Sequence, residues 1–262
     1  MDLHLAGKVA VVTGASKGIG LAVTRSLAAE GVRVVAGARK GSAELDLLAD
    51  QKGVHAALVD LTTPDGPATL ITEAISRFDA IDILVNNIGA VRPRLQGFLA
   101  VTDEDWNWAM TINFFAAVRT MRAALPHLVT RSRASIVTIS SVNAFLPDPS
   151  VIDYSAAKGA LTNLCKSLSK EYGGTVRVNT ISPGPVQTDL WLGDDGVAAT
   201  VARANGTTAD AVARQAAADA STGRFTHPQE IADLVLFLAS DRADNITGSD
   251  FLIDGGLIKT LR

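Results

Sequence analysis

Apolar residues in this chain fall into short consecutive runs separated by longer helical stretches. The runs are Val9–Thr13, Val32–Ala36, Ala56–Val59, Ile83–Asn86, Ser135–Ser140, Val176–Ile181 and Asp250–Ile253. A strand with one wet face alternates apolar and polar residues. A strand covered on both faces is apolar at consecutive positions, as in parallel sheets packed between helices. Helices are predicted over Gly20–Glu30, Pro67–Phe78, Asp105–Thr130, Tyr154–Tyr172 and Pro228–Ser240. The alternation runs the whole length without a Pro/Ser-rich linker or a repeat of fixed period. The expectation is one α/β domain over residues 1–262, a doubly wound parallel sheet of about seven strands with helices on both faces.

Leu190–Thr222 breaks the pattern, being rich in Ala, Gly, Thr and Asp and poor in large apolar residues. A long, weakly anchored insertion in an otherwise compact domain reads as a substrate lid over residues 190–222; the alternative is a pair of surface helices.

Composition narrows the function. The chain has 262 residues with 24 Lys+Arg against 27 Asp+Glu, a formal charge of −3, which supplies no basic field for nucleic acid or an anionic membrane. At 47% hydrophobic and 19% charged, it has ample apolar surface for a core and is not a disordered chain. The single cysteine, Cys165, excludes an intrachain disulfide and is read as a small buried hydrophobe. His4, His55, His127 and His227 do not cluster with carboxylates, so no metal site is expected. No apolar run approaches the roughly 18 residues of a membrane span. The start, MDLHLAGK, carries no secretory pattern, so a cytoplasmic protein is expected.

TGASKGIG, Thr13–Gly20, joins the first strand to the first helix. Gly14, Gly18 and Gly20 allow a tight turn and close approach of a pyrophosphate, and the helix N-terminus offers free N–H groups and partial positive charge. A plain βα turn needs one glycine, not three. The end of the second strand selects the dinucleotide, because an acid there binds the ribose hydroxyls of NAD whereas arginine suits the extra phosphate of NADP. Here Ala38 stands where the acid would be, Arg39 and Lys40 follow, and Lys17 adds a second cation. Arg39 can fork onto a phosphate while Lys17 acts as a point charge. NADP(H) is favoured, with NAD(H) left open; the alternative for both cations is solvated surface.

YSAAK sets Tyr154 and Lys158 on one face of a helix, where an ammonium beside the phenol stabilises phenolate. Ser141 ends the fifth strand 13 residues earlier, a gap that can bring strand end and helix start over one substrate carbonyl. With Asp60, NNIG at Asn86–Gly89, Asn113, NTISPGPVQTD at Asn179–Asp189 and DGG at Asp254–Gly256, the chain resembles short-chain dehydrogenases/reductases of the compact single-domain branch over nearly its full length.

That resemblance implies a Rossmann-type fold and catalysis by Asn113, Ser141, Tyr154 and Lys158. Serine would bond the substrate oxygen and tyrosine would transfer the proton. Lysine would lower the tyrosine pKa and bind the nicotinamide ribose, and asparagine would hold a water joining lysine to solvent. Asp60 would contact the adenine end, although an Asp at a strand end also caps turns. Asn87 would lie on the adenosine ribose side, with Val186 and Thr188 at the carboxamide. The implied cofactor set is Gly14, Ser16, Lys17, Gly18, Ile19, Gly20, Arg39, Asp60, Leu61, Asn87, Gly89, Tyr154, Lys158, Pro183, Gly184, Val186 and Thr188. Asn86 is read as a sheet support.

The reaction implied is hydride transfer between nicotinamide and a carbonyl or secondary alcohol. The four-residue Tyr–Lys spacing favours it over enoyl reduction; a catalytically silent dinucleotide sensor of the same fold is the alternative. Substrates of 3-oxoacyl-thioester reductases and of secondary-alcohol dehydrogenases fit equally. The pocket walls would come from Val91–Phe98, Val142–Pro149, Gly184–Pro185 and the lid, where Trp191 either meets an apolar substrate portion or anchors the lid. Three departures from the family pattern stand out: Ile88 in place of alanine, Asn143–Ala144 where glycine is frequent, and the missing acid after the second strand. A homotetramer through the Asn113 and Tyr154 helices and the C-terminal sheet edge is also implied. Arg119, Arg122, Arg131 and Arg133 read as a solvated basic surface.

Overall fold

The computed structural model describes residues 2–50 and 53–260. Seven strands form one parallel sheet: β1 Val9–Thr13, β2 Arg33–Ala38, β3 Val54–Leu58, β4 Ile83–Asn86, β5 Ala134–Ile139, β6 Val176–Pro183 and β7 Asp250–Ile253, in the order β3-β2-β1-β4-β5-β6-β7. Every neighbouring pair is parallel. The helices are α1 Gly18–Ala29, α2 Ala43–Ala49, α3 Gly66–Phe78, α4 Asp103–Met110, α5 Ala116–Leu128, α6 Ile152–Glu171, α7 Asp189–Leu192, α8 Val197–Asn205, α9 Ala209–Asp219 and α10 Pro228–Ala239.

The consecutive apolar runs divide by parity, because side chains alternate across a strand. Ala10, Val12, Val34, Ala36, Ile83 and Val85 enter one core with Val23 and Leu27 of α1 and Ile231 and Val235 of α10. Val11, Val35, Leu84 and Ile136 enter the other, with Leu70 of α3, Met121 of α5 and Leu161 of α6. No strand of the central four can therefore spare a polar face.

Four expectations shift. The second strand runs two residues further than Val32–Ala36, so Ala38 is inside it and buried. The short α2, capped by Ser42, lacked a sequence signal of its own. The helix expected over Asp105–Thr130 is interrupted: α4 passes into one wide π-turn, Thr111–Phe115, before α5. The basic surface is not simply solvated, since Arg131 bonds Asp82 at 2.7 Å, Arg133 bonds Asp241 at 2.9 Å and Arg119 bonds the Thr62 carbonyl at 3.1 Å. Cys165 is buried as expected.

Between β1 and β4 the order of connections reverses, and a crevice opens beyond the carboxyl ends of those strands; ligands of open α/β sheets bind in such a crevice. On the far side of β2, Gly37 lets α3 close onto the sheet: a Cβ there would lie 2.7 Å from Leu70 Cδ2. Gly37→Ala should cost about 1–3 kcal/mol by overpacking, and Leu70→Ala about 2–5 kcal/mol by cavity formation. The double variant should lose clearly less than the sum, since each change relieves the other. Urea unfolding of the four proteins measures this.

Candidate active site

The crevice is a cleft of about 650 Å³. One end is floored by the β1–α1 turn. Gly14 and Gly18 adopt φ of 65° and 56°, the left-handed region that disfavours side chains. A Cβ at Gly20 would collide with the Gly14 carbonyl and lie 2.6 Å from Asn87 Nδ2, so all three glycines are needed, two for their backbone angles and one for space. Asn87 fastens this turn to the end of β4: its Nδ2 donates to the carbonyls of Thr13 at 3.0 Å and Gly14 at 3.1 Å. Thr13 Oγ1 in turn accepts the N–H groups of Asn87 and Ile88 at 2.9 and 3.1 Å.

The N-terminus of α1 points its first N–H groups at the cleft with no side chain capping them and no acid in the first turn. An uncapped, positively polarised helix end beside a glycine floor fits a pyrophosphate. Ser16, Lys17, Ile19, Asn87, Gly89, Pro183, Gly184, Val186 and Thr188 line the same cleft, along with Ile88. Lys17 reaches across to Asp189 at 3.6 Å, both side chains largely exposed. Four residues of the expected cofactor set sit elsewhere. Gly20 packs behind the turn, and Leu61 has its side chain in the core. Arg39 is exposed just beyond β2. Asp60 turns one carboxylate oxygen to Thr62, at 2.9 Å from its N–H and 2.7 Å from its hydroxyl, which is the turn-capping alternative for that residue.

At the other end lie Ser141, just past β5, and Tyr154 and Lys158 on α6. The Ser141 hydroxyl is hydrogen-bonded to the Tyr154 phenol, which favours phenolate, but burial is the larger effect and raises the Tyr154 pKa above its ordinary value. Ser141 Oγ also accepts the Asn143 N–H at 3.2 Å, starting a single 3₁₀ turn where glycine is frequent in the family. Lys158 is only 3% exposed, and its Nζ donates to the Ile139 carbonyl at 2.9 Å and lies 5.7 Å from the Tyr154 ring centre. Burial without an acidic partner pulls its pKa down to about 8. The ammonium thus rests on the end of β5 instead of on the phenol hydroxyl, and the Tyr154 pKa is raised instead of lowered.

Asn113 explains the break in the long helix. A π-turn leaves main-chain groups without regular partners and recurs at functional sites. Asn113 Nδ2 donates to Ala109 and Ala90 carbonyls at 3.0 and 2.9 Å, and Oδ1 accepts the Ala90 N–H at 3.0 Å. Both amide hydrogens are used within the protein, so the side chain holds the loop after β4 against the π-turn. A Cβ on Gly89 would lie 3.0 Å from Asn113 Oδ1 and 3.4 Å from Lys158 Nζ, which brings all three together. Asn86 supports the sheet through Thr138 at a long 3.5 Å, with its Oδ1 buried and unpartnered.

The 190–222 segment folds as α7, α8 and α9 and contributes Leu190, Trp191, Val197, Ala216 and Asp219 to the cleft. Trp191 lines the cleft and packs edge-on against Phe225 at 5.5 Å. The arginines of this segment are spent locally: Arg203 on the Asp194 carbonyl and Asp195, Arg214 on Asp210. Sequence reasoning missed Arg94 and Asp153, an ion pair behind the Tyr154 helix at 2.6 Å; a buried charge is visible only once its partner is placed. Among the described residues no cluster of His, Cys, Asp or Glu can hold a metal, and no helix is long and apolar enough to cross a membrane.

The lysine gives a stability test. Its proton is bound more tightly in the unfolded chain, so its contribution to stability rises with pH between about 8 and 10.5. Cofactor-free Lys158→Met should therefore be more stable than the native protein at pH 7, and the difference should shrink toward pH 10.5. Urea unfolding of both proteins across that range measures it.

The family model described as "Enoyl-(Acyl carrier protein) reductase" matches residues 14–258. The uncharacterized oxidoreductase YvrD of Bacillus subtilis is 34% identical, with all of both chains covered. The 3-oxoacyl-[acyl-carrier-protein] reductase FabG of Escherichia coli is 32% identical over 97% of this chain and 99% of its own. The L-sorbose reductase of Gluconobacter frateurii, solved with NADPH and L-sorbose, superimposes with a TM-score of 0.91 at 34% identity, with both chains fully covered. Matched end to end in sequence and in fold, the chain belongs to the short-chain dehydrogenase/reductase family and is an NAD(P)-dependent oxidoreductase.

Proposed function

We propose that this protein transfers hydride reversibly between NADP(H) and the carbonyl or secondary alcohol of a small molecule. The observation that carries this reading is the hydrogen-bonded Ser141–Tyr154 pair at one end of a cleft whose other end is a bare helix N-terminus over three glycines. Bound nicotinamide would supply the hydride.

The protein's own groups do the rest. Ser141 Oγ and the Tyr154 hydroxyl would hold the substrate oxygen and bear its developing negative charge, a preorganised electrostatic contribution. A phenol whose pKa is raised by burial stays protonated at neutral pH, which suits the donor in carbonyl reduction. Lys158 would turn from the Ile139 carbonyl toward the nicotinamide ribose and the phenol, offsetting that rise as the proton leaves. Asn113 would keep the Gly89–Ala90 loop in place beside the lysine, with a water at that point returning the proton from solvent.

Three features support the preference for NADP(H). Ala38 closes β2 without a carboxylate. The Arg39 guanidinium stands exposed just after it, and Lys17 lies on the rim of the phosphate floor. The NADPH and L-sorbose bound in the G. frateurii reductase agree with ketone reduction by this cofactor. The four-residue Tyr154–Lys158 spacing favours carbonyl over enoyl chemistry despite the family description. The apolar groove between α5 and α6, lined by Met121, Leu125, Leu164 and Leu168, supports a homotetramer.

Turnover of NADPH with a panel of ketones, aldehydes, sugars and a 3-oxoacyl thioester tests the reading. Tyr154→Phe should lower kcat by at least about 10²-fold while NADPH binding, followed by its fluorescence, stays near native. Loss of binding and turnover together would overturn the assigned role, and NADPH binding without turnover of any substrate would favour a sensor. Arg39→Ala should weaken NADPH binding by about 10–100-fold, the worth of a charged hydrogen bond, and leave NADH unaffected.

A further inference from the structure

The strand-to-helix segment after β4, residues 91–97, forms a wall of the cleft through Val91 and is held from behind by one guanidinium. The Arg94 side chain is 12% exposed. Its Nε and Nη2 donate to one oxygen of Asp153 at 2.9 and 2.6 Å, and its Nη1 donates to Asp105 at 2.7 Å. Its own N–H reaches the Ser150 carbonyl at 2.6 Å. Asp153 is 1% exposed and immediately precedes Tyr154; its second oxygen accepts the Tyr154 N–H at 2.9 Å. Asp105 belongs to the capping box that starts α4. One side chain therefore ties three segments: the cleft wall, the first turn of α6 and the first turn of α4.

A buried ion pair is a weak source of net stability, because desolvation cancels most of the attraction. What a forked guanidinium supplies is direction, since its planar donors fix both carboxylates in angle as well as distance. The residue so fixed adjoins the phenol, and small misplacements of a reacting group are costly. We propose that Arg94 is a positioning residue for proton transfer, holding Asp153 so that Tyr154 presents its hydroxyl to Ser141 and the substrate while the wall stays closed. The proposal rests on Tyr154 being the proton donor.

The experiment compares Arg94→Ala, Arg94→Lys, Asp105→Asn and Tyr154→Phe in the full-length protein, reading NADPH affinity and steady-state kcat and KM. Arg94→Ala should lower kcat by about 10²-fold with NADPH affinity unchanged. Guanidinium chloride, kept well below denaturing concentration, should restore a substantial part of it. Arg94→Lys keeps the charge but not the fork and should lose about tenfold, while Asp105→Asn, which leaves Asp153 paired, should lose less. Guanidinium should not restore Tyr154→Phe. If Tyr154→Phe remains active, the underlying reading fails. If it is inactive while Arg94→Lys keeps native kcat, or while guanidinium leaves a folded, NADPH-binding Arg94→Ala unimproved, the Arg94 proposal alone is overturned. Should Arg94→Ala not fold, Arg94→Lys decides, and native kcat in that variant overturns it.

Discussion

The close approach of three backbones at the crevice sets everything else in this protein. The end of β1, the first turn of α1 and the end of β4 meet with no side chain between them at Gly14 and Gly20, and Asn87 stitches the contact with two hydrogen bonds. Adding a single carbon at Gly20 would separate the strand from the helix. Because they stay together, the α1 N-terminus faces the cleft with its amides free, and the β4 loop is drawn toward Asn113 and Lys158. The glycine turn and the Lys158 end of the cleft thus meet through one packing contact.

The opposite end of the cleft illustrates how burial and charge compete. Lys158 and Tyr154 are both pushed toward their neutral forms, because removing water penalises charge more than the Ile139 carbonyl or Ser141 hydroxyl repays. In the free protein this leaves a protonated phenol and an ammonium that is expensive to keep. A ligand that bonds the lysine and brings anionic oxygens into the cleft relieves that cost.

Rigidity is unevenly distributed around this site. Behind Tyr154, the buried Asp153 carboxylate and the Arg94 guanidinium fix the wall with short hydrogen bonds. In front, α8 and α9 carry mostly small side chains, and α9 has none that is buried. Trp191 against Phe225 is the aromatic anchor at the start of that segment.

The sequence alone determined the layered architecture, because parity along a doubly buried strand leaves no room for another reading, and all seven strands lie within two residues of their expected limits. It also made the glycine turn and the Ser141, Tyr154 and Lys158 set legible, since each is a local pattern of residue types at fixed spacing. Tertiary structure decided what depends on a distant partner. The π-turn at Asn113 follows from the Ala90 loop that its amide grips. Lys158 rests on β5 because that strand ends beneath it. Asp60 keeps to its own turn, Arg131 finds Asp82, and Arg94 becomes a buried tether only where α4 and α6 bring two carboxylates to it. The reason is physical: spacing along a chain specifies which residues share a face, whereas burial, pKa and hydrogen-bond choice depend on which groups the fold places opposite them.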